Sequence, residues 1–163
     1  MSFREKYLNY RCPRYETMPS VQLYKDQLVS VLEEYMAPFV TEDKLITSSM
    51  INNYVKHKVI KPPVNKKYDR EHLAYLYVIC LLKRFMTIEQ ISTGIEFVLK
   101  SRRMHSAYDM FCDELENALQ KTFGGEPLHE CEEDSEEVRI VRGVTNGLVN
   151  FVFANVLINE IRD

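Results

Sequence analysis

Two adjacent prolines, Pro62-Pro63, break a stretch from Thr47 to Ile95 that would otherwise read as nearly continuous helix. Proline lacks an N–H, fixes φ, and pushes the residue before it out of the α region. The pair must therefore end one helix and impose an extended passage from Val64 to Lys67 before another can begin. Upstream, Thr47 or Ser48 caps a short helix. Met50, Ile51, Tyr54 and Val55 fall on one of its faces, and Asn52, Asn53, Lys56 and His57 on the other. Downstream, Asp69 caps a helix running from Arg70 toward Phe85, buried through Leu73, Leu76, Tyr77, Cys80 and Leu81. Thr87-x-x-Gln90 has the form of a capping box. It opens a further helix with Ile88, Ile91, Ile95, Val98 and Leu99 on its buried side.

Apolar steps of three and four predict a helix over Val21–Met36, stopped by Pro38. Residues 1–20, with Pro13, Pro19 and no period, read as an extended arm or loose cover. A helix is expected from Ser106 to Lys121, with Tyr108, Phe111, Cys112, Leu115, Ala118 and Leu119 inward. Gly124-Gly125 and the acidic run Glu130–Glu137 then read as a flexible or solvated connection. A last helix follows from Asp134 to Ile161. Its second half, Leu148–Ile158, is apolar nearly all round and requires burial on most sides. Five glycines and six prolines in 163 residues are too few for the turns of an all-β protein. The expected class is all-α, with an arm (1–20), a head (21–100) and a C-terminal helical unit (101–163).

The formal net charge of −3 argues against indiscriminate coating of nucleic acid, yet charge is unevenly placed. Lys44 to Arg84 is basic and poor in acid, whereas most acidic residues lie from Asp109 onward. A short helix with outward amides, followed at once by a basic turn and two packing helices, suits a winged helix-turn-helix. There the recognition helix enters the major groove and its first turns reach base edges. Asn can donate and accept at adenine, and Lys neutralises phosphates. The DNA-binding residues expected on this reading are Ser48, Ser49, Asn52, Asn53, Lys56, His57, Lys61, Lys66, Lys67 and Arg70, with double-stranded DNA as partner. His57 and His72 bracket the turn.

No pair among Cys12, Cys80, Cys112 and Cys131 has the close spacing of a zinc site, and Cys80 reads as a small buried hydrophobe. His129 and Cys131 alone make a weak metal pair. The N-terminus lacks the apolar core of a secretory signal, and Gly147–Ile158 is too short to cross a bilayer. The expected location is cytoplasmic. No phosphate loop, nucleophile elbow or zincin motif is present, so no enzyme activity, cofactor or metal is expected.

These residues resemble the DNA-binding head of the MerR type. Ile51-Asn52-Asn53-Tyr54 through Val59-Ile60 falls where that family has leucine-arginine-tyrosine-tyrosine followed by glycine-leucine-isoleucine, and Pro62 matches its next proline. Lys66-Lys67-Tyr68-Asp69 resembles the arginine-x-tyrosine-serine that leads out of the wing. Met86-Thr87-Ile88-Glu89-Gln90-Ile91 resembles its phenylalanine-serine-leucine-x-x-isoleucine. The whole chain also resembles an uncharacterised bacterial family that carries such a head with an added helical part. The departures are Asn52 in place of arginine, Lys58 in place of the glycine that ends the helix, and a short wing. The resemblance implies a transcriptional regulator that dimerises through its C-terminal helices. Two other readings stay open. One is a protein-interaction module that keeps the fold without binding DNA. The other is a sensor with a small-molecule effector between the last two helices.

Overall fold

The computed structural model describes residues 1–41 and 43–162. Glu42 of the expected head and Asp163 of the expected C-terminal unit lie outside the described residues. The elements are α1 (Phe3–Leu8), β1 (Leu23–Tyr24), α2 (Lys25–Met36), α3 (Ser48–Lys56), β2 (Lys67–Tyr68), α4 (Arg70–Leu82), α5 (Ile88–Leu99), α6 (Met104–Phe123) and α7 (Glu136–Arg162). The chain is mostly helical, but all-α is corrected by a small antiparallel sheet pairing Leu23 with Tyr68 and Tyr24 with Lys67. It divides into two compact units, Pro13–Glu96 and Met1–Cys12 with Phe97–Asp163.

In the unit Pro13–Glu96, α4 is the central helix, buried from His72 through Leu82 on most of its faces. The apolar stripe of α2, Leu28, Leu32 and Met36, packs against it, and α3 contributes Ile51. Three helix starts follow their expected caps. Thr47 Oγ1 accepts the Met50 N–H at 3.2 Å, and Asp69 Oδ1 accepts the His72 N–H at 3.1 Å. Thr87 and Gln90 exchange side-chain and backbone bonds at 3.1 Å. Lys83 Nζ bonds Tyr54 Oη at 3.4 Å, and burial, then Cys80, pushes the Tyr54 phenol up to about 12. The helix expected from Val21 begins only at Lys25, because Leu23-Tyr24 is drawn into the sheet. Leu23 is buried in the strand, so the apolar period runs past the helix boundary.

The passage after α3 departs most from the extended chain expected there. Lys58 sits at φ 56°, its N–H bonds the Val55 carbonyl, and the Val59 N–H bonds the Tyr54 carbonyl at 2.8 Å. This is a Schellman motif with lysine at the position where glycine is usual. After the prolines, Val64 and Lys67 exchange backbone bonds at 3.1 and 3.0 Å around Asn65 (φ 51°) and Lys66 (φ 63°). Positive φ at both central residues is what a two-residue type I′ hairpin turn requires. The prolines set the stem, and the tip reverses.

In the other unit the arm is not loose. Ser2 and Glu5 form a capping box for α1, which packs on α6. Tyr7 stacks on Phe123 with centroids 4.8 Å apart, and Arg4 Nε donates to the Phe123 carbonyl at 2.7 Å. Gly124 closes α6 at φ 87°. The connection to α7, expected to be flexible or solvated, is mostly exposed to solvent, yet it is tied to α6. Asn117 Oδ1 accepts the Leu128 and His129 N–H groups, and its Nδ2 donates to the His129 carbonyl at 2.8 Å. Buried Glu116 accepts the Cys12 N–H at 3.0 Å and lies 2.8 Å from His129 Nε2.

α7 buries Val138, Val141, Thr145, Leu148, Val149 and Val152, while Ala154, Leu157 and Ile158 are exposed. The apolar stretch Leu148–Ile158 is thus covered on one side only. At 27 residues α7 is long and apolar enough, by length and composition, to cross a membrane. Gly147–Ile158 is only the most apolar part of that length, which begins at Glu136.

Replacing Lys58 by glycine is expected to raise stability by about 0.5–1 kcal/mol. It removes the left-handed penalty of a side chain, less glycine's greater entropy in the unfolded chain. Urea unfolding of the K58G variant checks this, and a fall in stability would contradict the cap geometry.

Candidate nucleic-acid interface

α3 carries Ser48, Ser49, Asn52, Asn53 and Lys56 outward, with His57 exposed at its end. Steps of three and four put Ser49, Asn52, Asn53 and Lys56 on one helical stripe. Two contacts join this stripe to the hairpin. Lys25 Nζ, at the start of α2, donates to Asn52 Oδ1. Lys67 Nζ sits 5.2 Å over the ring of Tyr24, the residue before Lys25. The α3 stripe, the first turn of α2 and the stem of the hairpin are therefore contiguous. Lys66 stands exposed at the hairpin tip. Lys56, Lys58 and Lys66 make no ion pair among the described residues.

The Lys25 contact separates the two asparagines chemically. Asn52 spends its carbonyl oxygen on Lys25, which leaves its amide hydrogens as donors. Such a group suits a phosphate oxygen. Asn53 makes no side-chain hydrogen bond among the described residues and offers both donor and acceptor, the pairing adenine presents in the major groove.

Two of the ten expected residues are held elsewhere. Lys61 Nζ pairs with Asp69 at 2.9 Å and Glu71 at 2.7 Å. Burial disfavours its charge, but the Glu71 and Asp69 hydrogen bonds outweigh that and raise its pKa above the usual lysine value. Arg70 Nε donates to the Met18 carbonyl at 3.0 Å, and its guanidinium pairs with Glu16 at 3.4 Å. Both cations already donate to nearby carboxylates or carbonyls. Tyr24 and Lys25, which are not among those ten, lie beside the α3 stripe and the hairpin stem. Their positions read as one turn of a longer helix, and no local signal marks Lys25 as the neighbour of Asn52.

Lys61 instead closes the base of the hairpin. His72, 2% exposed, approaches the Lys61 carbonyl with Nε2 at 3.0 Å. A carbonyl can only accept, so Nε2 carries a proton, while Nδ1 lies 3.0 Å from the Asp69 amide nitrogen and 2.9 Å from Asp69 Oδ1. One buried ring thus ties both ends of the loop from Lys61 to Asp69. Burial alone would raise the Asp69 carboxyl. The Lys61 hydrogen bond, then the His72 backbone N–H, outweigh it and hold the carboxyl below its usual range.

Elsewhere, a cleft of about 570 Å³ is lined by Ser101, Arg102, Arg103, His105, Glu133 and Glu137. Arg102 pairs with Glu133, and Ser101 donates to Glu137 at 2.9 Å. Its charged walls differ from the apolar lining of most small-molecule sites. His129 faces Glu116 and Asp113 while Cys131 is exposed, and no group of three metal-binding side chains occurs among the described residues.

A carboxyl with a lowered native pKa stabilises above the usual carboxylate value of 3.8 and loses that contribution as pH falls through its native value. Asp69→Asn is therefore expected to cost about 0.5–1 kcal/mol at pH 7. The difference from the unaltered protein should shrink at pH 3. Urea unfolding at both values reads it, and an equal deficit at each would contradict the ion-pair role.

No curated protein and no solved structure matches the chain. The family described as a domain of unknown function (DUF1836) matches residues 13–111. That match begins where the compact unit Pro13–Glu96 begins and covers more than half of the sequence, and the chain belongs to this family.

Proposed function

We propose that the protein is a sequence-specific DNA-binding transcriptional regulator whose head is a MerR-like winged helix-turn-helix. On this reading α2 and α3 are the helix-turn-helix, α3 enters the major groove, and the Val64–Tyr68 hairpin is the wing that lies on the flanking backbone. The observation that carries the reading is the contiguity of α3 with the hairpin through Lys25–Asn52 and Tyr24–Lys67. It gathers amides and unpaired ammonium groups on one surface. Lys25 also answers the departure at Asn52. The arginine that the resembling family carries at this place is absent, but a cation reaches the same spot from α2. The four free cysteines fit a reducing, cytoplasmic location.

Roles follow from the chemistry. Lys25, Lys56, Lys66 and Lys67 neutralise phosphates. Asn52 positions the helix on the backbone, and Asn53 reads a base. Lys61 and Arg70 maintain the shape of the head and stay off the DNA.

Selection from a random duplex pool should enrich a defined sequence; failure to enrich any would remove the proposal. With the selected duplex, changing Lys66 and Lys67 together to Ala should weaken binding to all sequences. It should also lower the slope of log affinity against log salt by about one unit per lost phosphate contact. Asn53→Ala should relax preference at one position at a cost of about 1–3 kcal/mol against the cognate base. Lys61→Ala should leave the salt slope unchanged. A slope that drops with Lys61 and not with the Lys66–Lys67 pair would point to a different surface.

A further inference from the structure

We propose that the protein binds a small uncharged aromatic compound in an apolar pocket at the connection between α2 and α3. The pocket has a volume of about 200 Å³ and is lined by Glu33, Met36, Val40, Lys44, Leu45 and Ile46. Met36, Leu45 and Ile46 are buried and form its floor, whereas Glu33, Val40 and Lys44 are exposed and stand at its mouth. The lining it offers is apolar throughout. Water settles in a cavity only where several polar groups can bond it, and this surface supplies none.

The walls are anchored on both sides. Glu33 and Met36, a turn apart, belong to α2, whose buried stripe fixes it on α4. α2 passes directly into a 3-10 turn, Ala37–Phe39, that contains Pro38. Phe39 is 1% exposed, and Arg84 Nη1 donates to its carbonyl at 2.8 Å. The fixed φ of Pro38 and this bond set where Val40 leaves the turn. On the far side, buried Ile46 immediately precedes Thr47, whose hydroxyl caps α3. Neither side can close on the other without breaking these contacts, so the space is preformed, as small-molecule sites usually are.

Size and charge select the ligand. An apolar cavity of about 150 Å³ admits benzene or xenon. A single ring with a methyl group is therefore what this pocket accommodates. An ionised group seated on the apolar floor would lose its hydration without a compensating bond. At the mouth, the carboxylate of Glu33 and the ammonium of Lys44 balance each other, so neither sign of charge is favoured. The pocket shares no residue with the charged cleft beside Arg102 or with the surface assigned to DNA. Its occupancy therefore stands or falls independently of the DNA-binding reading.

Toluene titrated into the full chain is expected to shift the methyl NMR signals of Met36, Val40, Leu45 and Ile46. The signals of exposed Leu157 and Ile158 should stay in place. Toluene should also raise the urea midpoint, since it binds the folded chain alone. Benzoate, the same ring with a charge, should do neither. Val40→Phe places a ring in the mouth of the pocket and should abolish both effects. Circular dichroism should show unchanged helix content in that variant, because Val40 is 38% exposed. If phenylalanine disturbs the fold, Val40→Leu decides: a smaller intrusion should weaken toluene binding, and unchanged binding would count against the site. Methyl signals that stay still, that move equally in both compact units, that respond as strongly to benzoate, or that still move in Val40→Phe would each overturn the proposal.

Discussion

The hairpin can project Lys66 only if both its stems are pinned, and the pin is His72. Its ring lies buried on α4, with one nitrogen at the Lys61 carbonyl and the other at the Asp69 amide, and edge-on to Tyr68 at 5.0 Å. Around it, Lys61 bridges Asp69 and Glu71. Those ion pairs are half exposed and individually worth little. The buried hydrogen bonds weigh more, because losing one partner leaves a desolvated group unpaired, at a cost of about 1–3 kcal/mol. Pro62-Pro63 acts from the other side of the balance. It restricts the unfolded chain and so lessens the entropy lost on closing the loop. Sheet pairing with Leu23-Tyr24 then fixes which way the closed loop faces.

Backbone strain clusters in the same segment. Lys58, Asn65 and Lys66 are the non-glycine residues with positive φ among those described. Asparagine tolerates that region through local hydrogen bonding, but lysine gains no such help. Strain of this kind persists where surrounding structure over-determines the conformation. At Lys58 the two Schellman bonds do so, and at Lys66 the paired Val64–Lys67 backbone does. Glycine would relieve both sites, but it would remove two ammonium groups that pair with no carboxylate among the described residues. Charge kept at the expense of backbone ease is what a binding surface would show.

Much of the head was legible because helical periodicity and caps are local. Thr47, Asp69 and Thr87 each begin a helix where side-chain chemistry says they should. The misses are non-local. Leu23-Tyr24 becomes a strand because Lys67-Tyr68 is there to pair with it, and α1 is ordered because α6 offers Phe123 and Gln120 to dock on. The buried carboxylates Glu114 and Glu116 fall inside a helical pattern and look solvent-facing until Arg142 and the Cys12 amide are brought to them. At the site, counting lysines could not separate Lys61 from Lys66. What separates them is the arrival of Asp69 and Glu71 beside the first and of no carboxylate partner among the described residues for the second.

That distinction lets a chain of negative net charge carry a locally cationic surface. At physiological salt the Debye length is about 8 Å, so a phosphate senses the ammonium groups it touches far more than the total charge of the protein. The acidic run from Glu130 is itself partly neutralised at home. Arg102 takes Glu133, Arg139 takes Asp134 with two hydrogen bonds of 2.8 Å, and Ser101 bonds Glu137. Hydrogen bonds from Arg102 and Ser135 hold the Glu133 carboxyl below its usual range, and the one from Arg139 does the same for Asp134. Carboxylates held by their own partners compete weakly for lysines elsewhere. The charge that matters at the α3 surface is therefore local and positive although the sum over the chain is −3.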